Sequence, residues 1–121
     1  MVLALVDDLM FRSKIKSAVQ PSGAAVTFAA SRDAALAAMR SGAPSLVVFD
    51  LNNSRADPLG TLAEMKKDPA LASIPTLGYV SHVDVNTIDA ARAAGVDEVV
   101  ARSAFAMRLS ELVVKPPPAG A

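Results

Sequence analysis

The sequence predicts a single α/β domain: a five-stranded parallel sheet in the order 2-1-3-4-5, doubly wound, with helices on both faces. Three observations carry that expectation. Short apolar runs alternate with helix-length stretches five times over, and the runs show little polar–apolar alternation. A length of 121 residues suits one domain and is about half what a closed eight-fold barrel needs.

The apolar runs are 2–6, 24–29, 45–49, 76–80 and 98–101, and each carries valine. None is long enough for a typical helix, and uninterrupted apolar character is what strands covered on both faces require. The intervening segments place apolar residues three and four apart. Phe11, Ile15 and Val19 define the first helix, which Pro21 ends. Ser31 caps the second, Leu36 and Met39 share its buried face, and Gly42 and Pro44 close it. Asp57-Pro58 opens the third, with Leu59, Leu62 and Met65 on one side. Asp84 caps a fourth helix bearing Val85, Ile88 and Ala91, and Gly95 stops it; Ser103 caps a fifth with Phe105, Leu109 and Leu112 inward. Strict βα alternation implies parallel strands and right-handed crossovers. The domain is expected to span 1–114, with 115–121 a proline-rich disordered tail.

Composition excludes several functions. Twelve basic and twelve acidic residues cancel, which argues against a nucleic-acid partner. Without cysteine there are no disulfides or thiolate metal sites, and one histidine, His82, cannot build an imidazole-rich zinc site. No apolar run approaches the roughly 18 residues of a membrane span, and the N-terminus lacks the basic flank of a signal peptide. A cytoplasmic protein with no membrane association is expected.

Ligands of open parallel sheets bind beyond the carboxyl ends of the strands, where the strand order reverses. The residues just past the runs are Asp7 and Asp8, then Ala29-Ala30, Asp50, Ser81 and Arg102. With strands one and three adjacent, Asp7, Asp8 and Asp50 crowd together and oppose one another's ionisation. A hard cation relieves that repulsion, and carboxylates with a backbone carbonyl and water suit Mg²⁺. An aspartate so placed can attack phosphorus and form an acyl phosphate.

This constellation resembles the response-regulator receiver (CheY-like) family of the flavodoxin-like fold. The likeness covers residues 1–114 and rests on four matches. These are Asp7-Asp8, Asp50 in Leu-Val-Val-Phe-Asp-Leu, Ser81 in Gly-Tyr-Val-Ser, and the segment from Gly95 to Arg102. The resemblance implies that Asp50 is the phosphoacceptor and that Asp7, Asp8, Asp50 and the backbone carbonyl of Asn52 hold Mg²⁺. Ser81 is implied to hydrogen-bond a phosphoryl oxygen, and Arg102 to clamp one or to hold Asp50 in a resting ion pair. It implies a non-enzymatic module of bacterial two-component signalling, phosphorylated by a histidine kinase or phosphotransfer protein. Such a module contacts a downstream protein, and receivers often form homodimers through helices four and five.

The sequence departs from that family at several points. Arg102-Ser103 stands in place of lysine-proline, Val99 in place of a switch aromatic, Asn53-Ser54 in place of methionine-proline, and Pro58 in place of a frequent glycine. Arginine keeps the lysine's charge on a bulkier planar group. These changes touch signalling output more than the acidic pocket and leave open a pseudo-receiver that binds partners without phosphorylation. A small enzyme or flavin carrier on the same fold is a third reading. Neither a glycine-rich phosphate loop after strand one nor a nucleophile–histidine pair supports it. Plainer roles fit other residues. Asp8 also suits a helix cap, as do Asp57 and Asp84, and Arg12, Lys14 and Lys16 suit the wet side of helix one. His82 suits a solvated loop, and Phe28, Phe49 and Phe105 the core.

Overall fold

Strand and helix follow one another because each apolar run is too short for a helix and four of the five amphipathic stretches begin on a capping side chain. The computed structural model describes residues 1–81 and 84–114. The expectations for His82 and for 115–121 lie outside the described residues. The strands are β1 (Val2–Leu5), β2 (Val26–Phe28), β3 (Leu46–Asp50), β4 (Thr76–Val80) and β5 (Glu98–Ala101). The helices are α1 (Leu9–Val19), α2 (Arg32–Gly42), α3 (Pro58–Lys67), α4 (Val85–Ala94) and α5 (Arg102–Val114), with short 3-10 turns at Gln20–Ser22 and Ser54–Ala56.

All four strand pairings are parallel, and the order is β2-β1-β3-β4-β5, as expected. The three central strands are buried almost throughout, whereas β2 and β5 at the edges are only partly covered. Alternate residues of each strand enter different cores. Leu3, Leu5, Val47 and Phe49 pack with Leu36, Met39, Leu62 and Met65 from α2 and α3. Val2, Ala4, Val48, Leu77 and Tyr79 pack with Phe11, Ile15, Phe105 and Leu109 from α1 and α5. Two apolar faces, each roofed by helices, explain why the strands do not alternate with polar residues.

Caps fix where the helices begin. Asp8 accepts hydrogen bonds from Met10 and Phe11 N–H, Ser31 from Ala34 N–H, Asp57 from Gly60 N–H, and Asp84 from Asn86 and Thr87 N–H. The cap at Asp57 needs the glycine three residues on, since a Cβ at Gly60 would sit 2.1 Å from the Asp57 carboxylate. Gly78 in β4 has a similar purpose: a Cβ there would come within 2.7 Å of Leu51, the residue that follows Asp50. Helix α4 stops at Gly95, whose φ of 105° lies in the left-handed region that glycine enters without penalty.

Some expectations are corrected. Leu59 and Val85 are exposed (39% and 62%), because each lies in the first turn of its helix beyond the reach of the sheet. Phe28, on edge strand β2, is only partly buried: it packs against the core from its margin, and Arg12 lies over its ring. Helix α5 begins at Arg102, so Ser103 lies inside its first turn and not ahead of it. The difference between buried and exposed positions is measurable. Leu62→Ala should lower the unfolding free energy by about 2–5 kcal/mol, and Val85→Ala should change it by less than about 0.5 kcal/mol in urea titrations.

Candidate functional site

Register brings the chemistry together. Leu5 pairs with Phe49, Asp50 with Tyr79, and Val80 with Ala101. Asp7 and Asp8, Asp50, Ser81 and Arg102 therefore all emerge at the carboxyl rim of β1, β3, β4 and β5.

Asp50 is the half-buried member. Its Oδ1 accepts a hydrogen bond from Asn52 N–H at 3.0 Å, which turns the chain sharply after β3. Burial raises its pKa above the ordinary carboxylate value, and the negative charges of Asp8 and Asp7 push the same way. The Asn52 N–H and the Arg102 charge oppose them. Asp8 is held differently. Its Oδ1 caps α1, its Oδ2 receives Arg102 Nη2 at 2.8 Å, and the backbone N–H of Phe11 is the leading cause of a lowered pKa. The sequence left Arg102 to a phosphoryl oxygen or to Asp50; its direct partner is Asp8. The guanidinium lies over the Phe11 ring, 4.2 Å from the centroid, and that platform directs it toward the start of α1.

Asp7 has its own cation. Arg12 Nη2 stands 3.8 Å from Asp7 Oδ1, its Nε donates to the Val6 carbonyl, and its guanidinium stacks on Phe28 at 5.1 Å. Arg12 thus reaches the rim from the polar side of α1, where it does more than face solvent. The signal for it was present in the sequence, a base one helical turn past the acidic strand end.

Asn52 and Ser81 meet through an unforeseen contact: Asn52 Oδ1 accepts from Ser81 N–H at 2.6 Å and ties the loop after β3 to the end of β4. Ser81 is exposed and lines an open cleft with Met10, Phe11, Lys14, Arg102 and Ser103. Beneath the acids lies Tyr79. Its ring packs against both Phe105 (centroids 4.7 Å apart) and Phe11 (5.3 Å), which also meet each other at 6.1 Å, and its buried hydroxyl has no hydrogen-bond partner of ordinary geometry among the described residues. Sequence reasoning missed it, since a tyrosine in an apolar run reads as core.

Among the described residues no three acidic or imidazole side chains approach closely enough to enclose a metal ion. Mg²⁺ does not require that, because it keeps several waters and binds through one or two carboxylates. The oxygen donors at this rim fit such a partly hydrated ion, which would offset the penalty that burial, and to a smaller degree Asp8 and Asp7, place on the charged form of Asp50. Arg102 is the competitor for Asp8.

No family model matches the chain, and no curated protein does. Its fold is matched closely by solved structures. A response regulator from Hahella chejuensis superposes with a TM-score of 0.83 at 18% identity, covering 95% of each chain. The phosphorylated cyanobacterial phytochrome response regulator RcpA gives 0.77 at 24% identity, covering 93% of this chain and 86% of its own. The Mn²⁺-bound form of response regulator Rcp1 gives 0.78 at 18%, covering 99% and 98%. The chain therefore has the flavodoxin-like fold of response-regulator receiver domains. No helix among the described residues is long and apolar enough to cross a membrane.

Arg102→Ala should release Asp8 and tighten Mn²⁺ binding about two- to fivefold, the equivalent of a partly exposed ion pair, as read by isothermal titration.

Proposed function

We propose that this protein is a receiver-type module of two-component signalling that accepts a phosphoryl group on Asp50 and acts through protein–protein contacts, not as an enzyme. The observation that carries the reading is the placement of Asp50. A half-buried carboxylate ends the central strand β3 within the field of Asp7, Asp8 and Arg102, on the fold that phosphorylated RcpA shares.

The donor is a phosphohistidine of a histidine kinase or phosphotransfer protein. A carboxylate oxygen of Asp50 attacks phosphorus, the P–N bond breaks, and its electron pair returns to the imidazole nitrogen. With Oδ1 held by Asn52 N–H, the carboxylate is oriented before the donor arrives. Ser81 offers a hydroxyl to a phosphoryl oxygen, and Arg102 swings from Asp8 toward the new charge. Asp7, Asp8, Asp50 and the Asn52 carbonyl would hold Mg²⁺, some of them directly and the rest through its bound waters, and the ion would neutralise charge on the transferred group. Output passes to a downstream partner across the α4–β5–α5 face, where Val85 and Met107 stand exposed; the same face suits a homodimer. A cytoplasmic setting follows from that role.

A second reading draws on one specific contact. Arg102 already neutralises Asp8 at 2.8 Å, so the rim has a cation of its own, which favours a pseudo-receiver that binds partners without phosphorylation.

Incubation with Mg²⁺ and acetyl phosphate, followed by intact-mass measurement, separates the two. The phosphoacceptor reading expects a gain of one phosphoryl group that disappears in Asp50→Asn. An unchanged mass across a range of magnesium concentrations would support the pseudo-receiver instead.

A further inference from the structure

The floor of the acidic rim contains a polar group that the proposed phosphotransfer does not use. Tyr79 is 1% exposed, and its hydroxyl has no hydrogen-bond partner of ordinary geometry among the described residues, although the Asp50 carboxylate lies near enough to interact with it. Leaving such a group dry and unpaired is costly, so buried hydroxyls ordinarily find a partner. Asp50 is paired with Tyr79 across β3 and β4, directly beside it. After burial, the Asp50 charge is the largest influence holding the phenol in its protonated form, with the phenol pKa well above its usual value.

The ring has a definite place as well. It forms a three-ring cluster with Phe105, in the first turn of α5, and Phe11, in the first turn of α1, and is nearly parallel to Phe105 at 16°. Phe11 in turn carries the Arg102 guanidinium that reaches Asp8. A movement of the Asp50 carboxylate that pulls on the hydroxyl therefore shifts a stacked layer shared by α1, α5 and Arg102. Position 99 on β5, by contrast, holds a valine, which has no polar tip with which to follow Asp50.

We infer that Tyr79 is a positioning residue for Asp50: its hydroxyl donates to the Asp50 carboxylate, and its ring transmits the state of that carboxylate to α5 through Phe105. This rests on the reading of Asp50 as the reactive group, but the contact itself can be tested without any phosphate.

The chain has one tyrosine and no tryptophan, so its intrinsic emission comes from Tyr79 alone. A phenol bonded to a carboxylate is quenched, and emission from the full-length protein should rise in Asp50→Asn and in Asp50→Ala. Emission equal to wild type in both variants overturns the contact. A double-mutant cycle in urea, followed by far-ultraviolet circular dichroism, gives an independent answer. Tyr79→Phe keeps the stack and should lower the folding equilibrium constant about tenfold in the wild-type background, as expected for a hydrogen bond to a charged group. In the Asp50→Ala background it should lower the constant little or raise it. An equal loss in both backgrounds would mean that Tyr79 is only packing.

Acetyl phosphate with Mg²⁺ then links the contact to signalling. A mass gain accompanied by a change in Tyr79 emission supports the transmission, and a mass gain with unchanged emission overturns it. An unchanged mass defeats the phosphoacceptor reading alone, and the mutant cycle still decides the Tyr79 contact.

Discussion

Parallel pairing in a fixed register is the constraint on which the rest of this molecule depends. Because Leu5 lies opposite Phe49, Asp50 opposite Tyr79 and Val80 opposite Ala101, the carboxyl ends of four strands finish at nearly the same height. Slipping one strand by a single residue would send its side chains to the opposite face. Asp50 would then lose its place at the rim, and the apolar residues of that strand would lose their helices. The same burial that holds the sheet together keeps the site aligned.

The second consequence is electrostatic. The rim gathers three carboxylates, and the chain answers two of them itself, Asp8 with Arg102 and Asp7 with Arg12. Both pairs are partly exposed, so they contribute little to stability and are readily exchanged for other partners. Among the described residues Asp50 has no such partner within reach of an ion pair, and it keeps a raised pKa. Charge compensation is thus labile around a carboxylate that forms no ion pair among the described residues. Aromatic surfaces set the direction of each cation: Phe11 holds Arg102 and Phe28 holds Arg12.

Much of this was legible in the sequence because it depends on periodicity. Strand order, the two helical layers, the caps at Ser31, Asp57 and Asp84, and the placement of Asp7, Asp8 and Asp50 at the carboxyl ends of neighbouring strands all follow from where apolar runs stop and polar residues begin. The finer contacts were not legible, because they depend on which neighbour a side chain meets across the sheet. Arg102 could reach Asp8 or Asp50, and only the position of Phe11 decides between them. Tyr79 reads as core until pairing sets it beside Asp50, and Asn52 gives no hint that its side chain will tie down Ser81. Arg12 was misplaced for the opposite reason: it lies on the polar side of its helix, yet that side curls over an acidic strand end.

The central claim is that Asp50 sits half out of water in the repulsive field of the first strand's acids. A carbon-13 NMR titration of the Asp50 side-chain carboxyl, in the wild type and in Asp7→Asn and Asp8→Asn, tests this most directly. The account predicts a midpoint above that of ordinary aspartates in the wild type, moving downward when either neighbour loses its charge. An ordinary midpoint that neither substitution moves would contradict it.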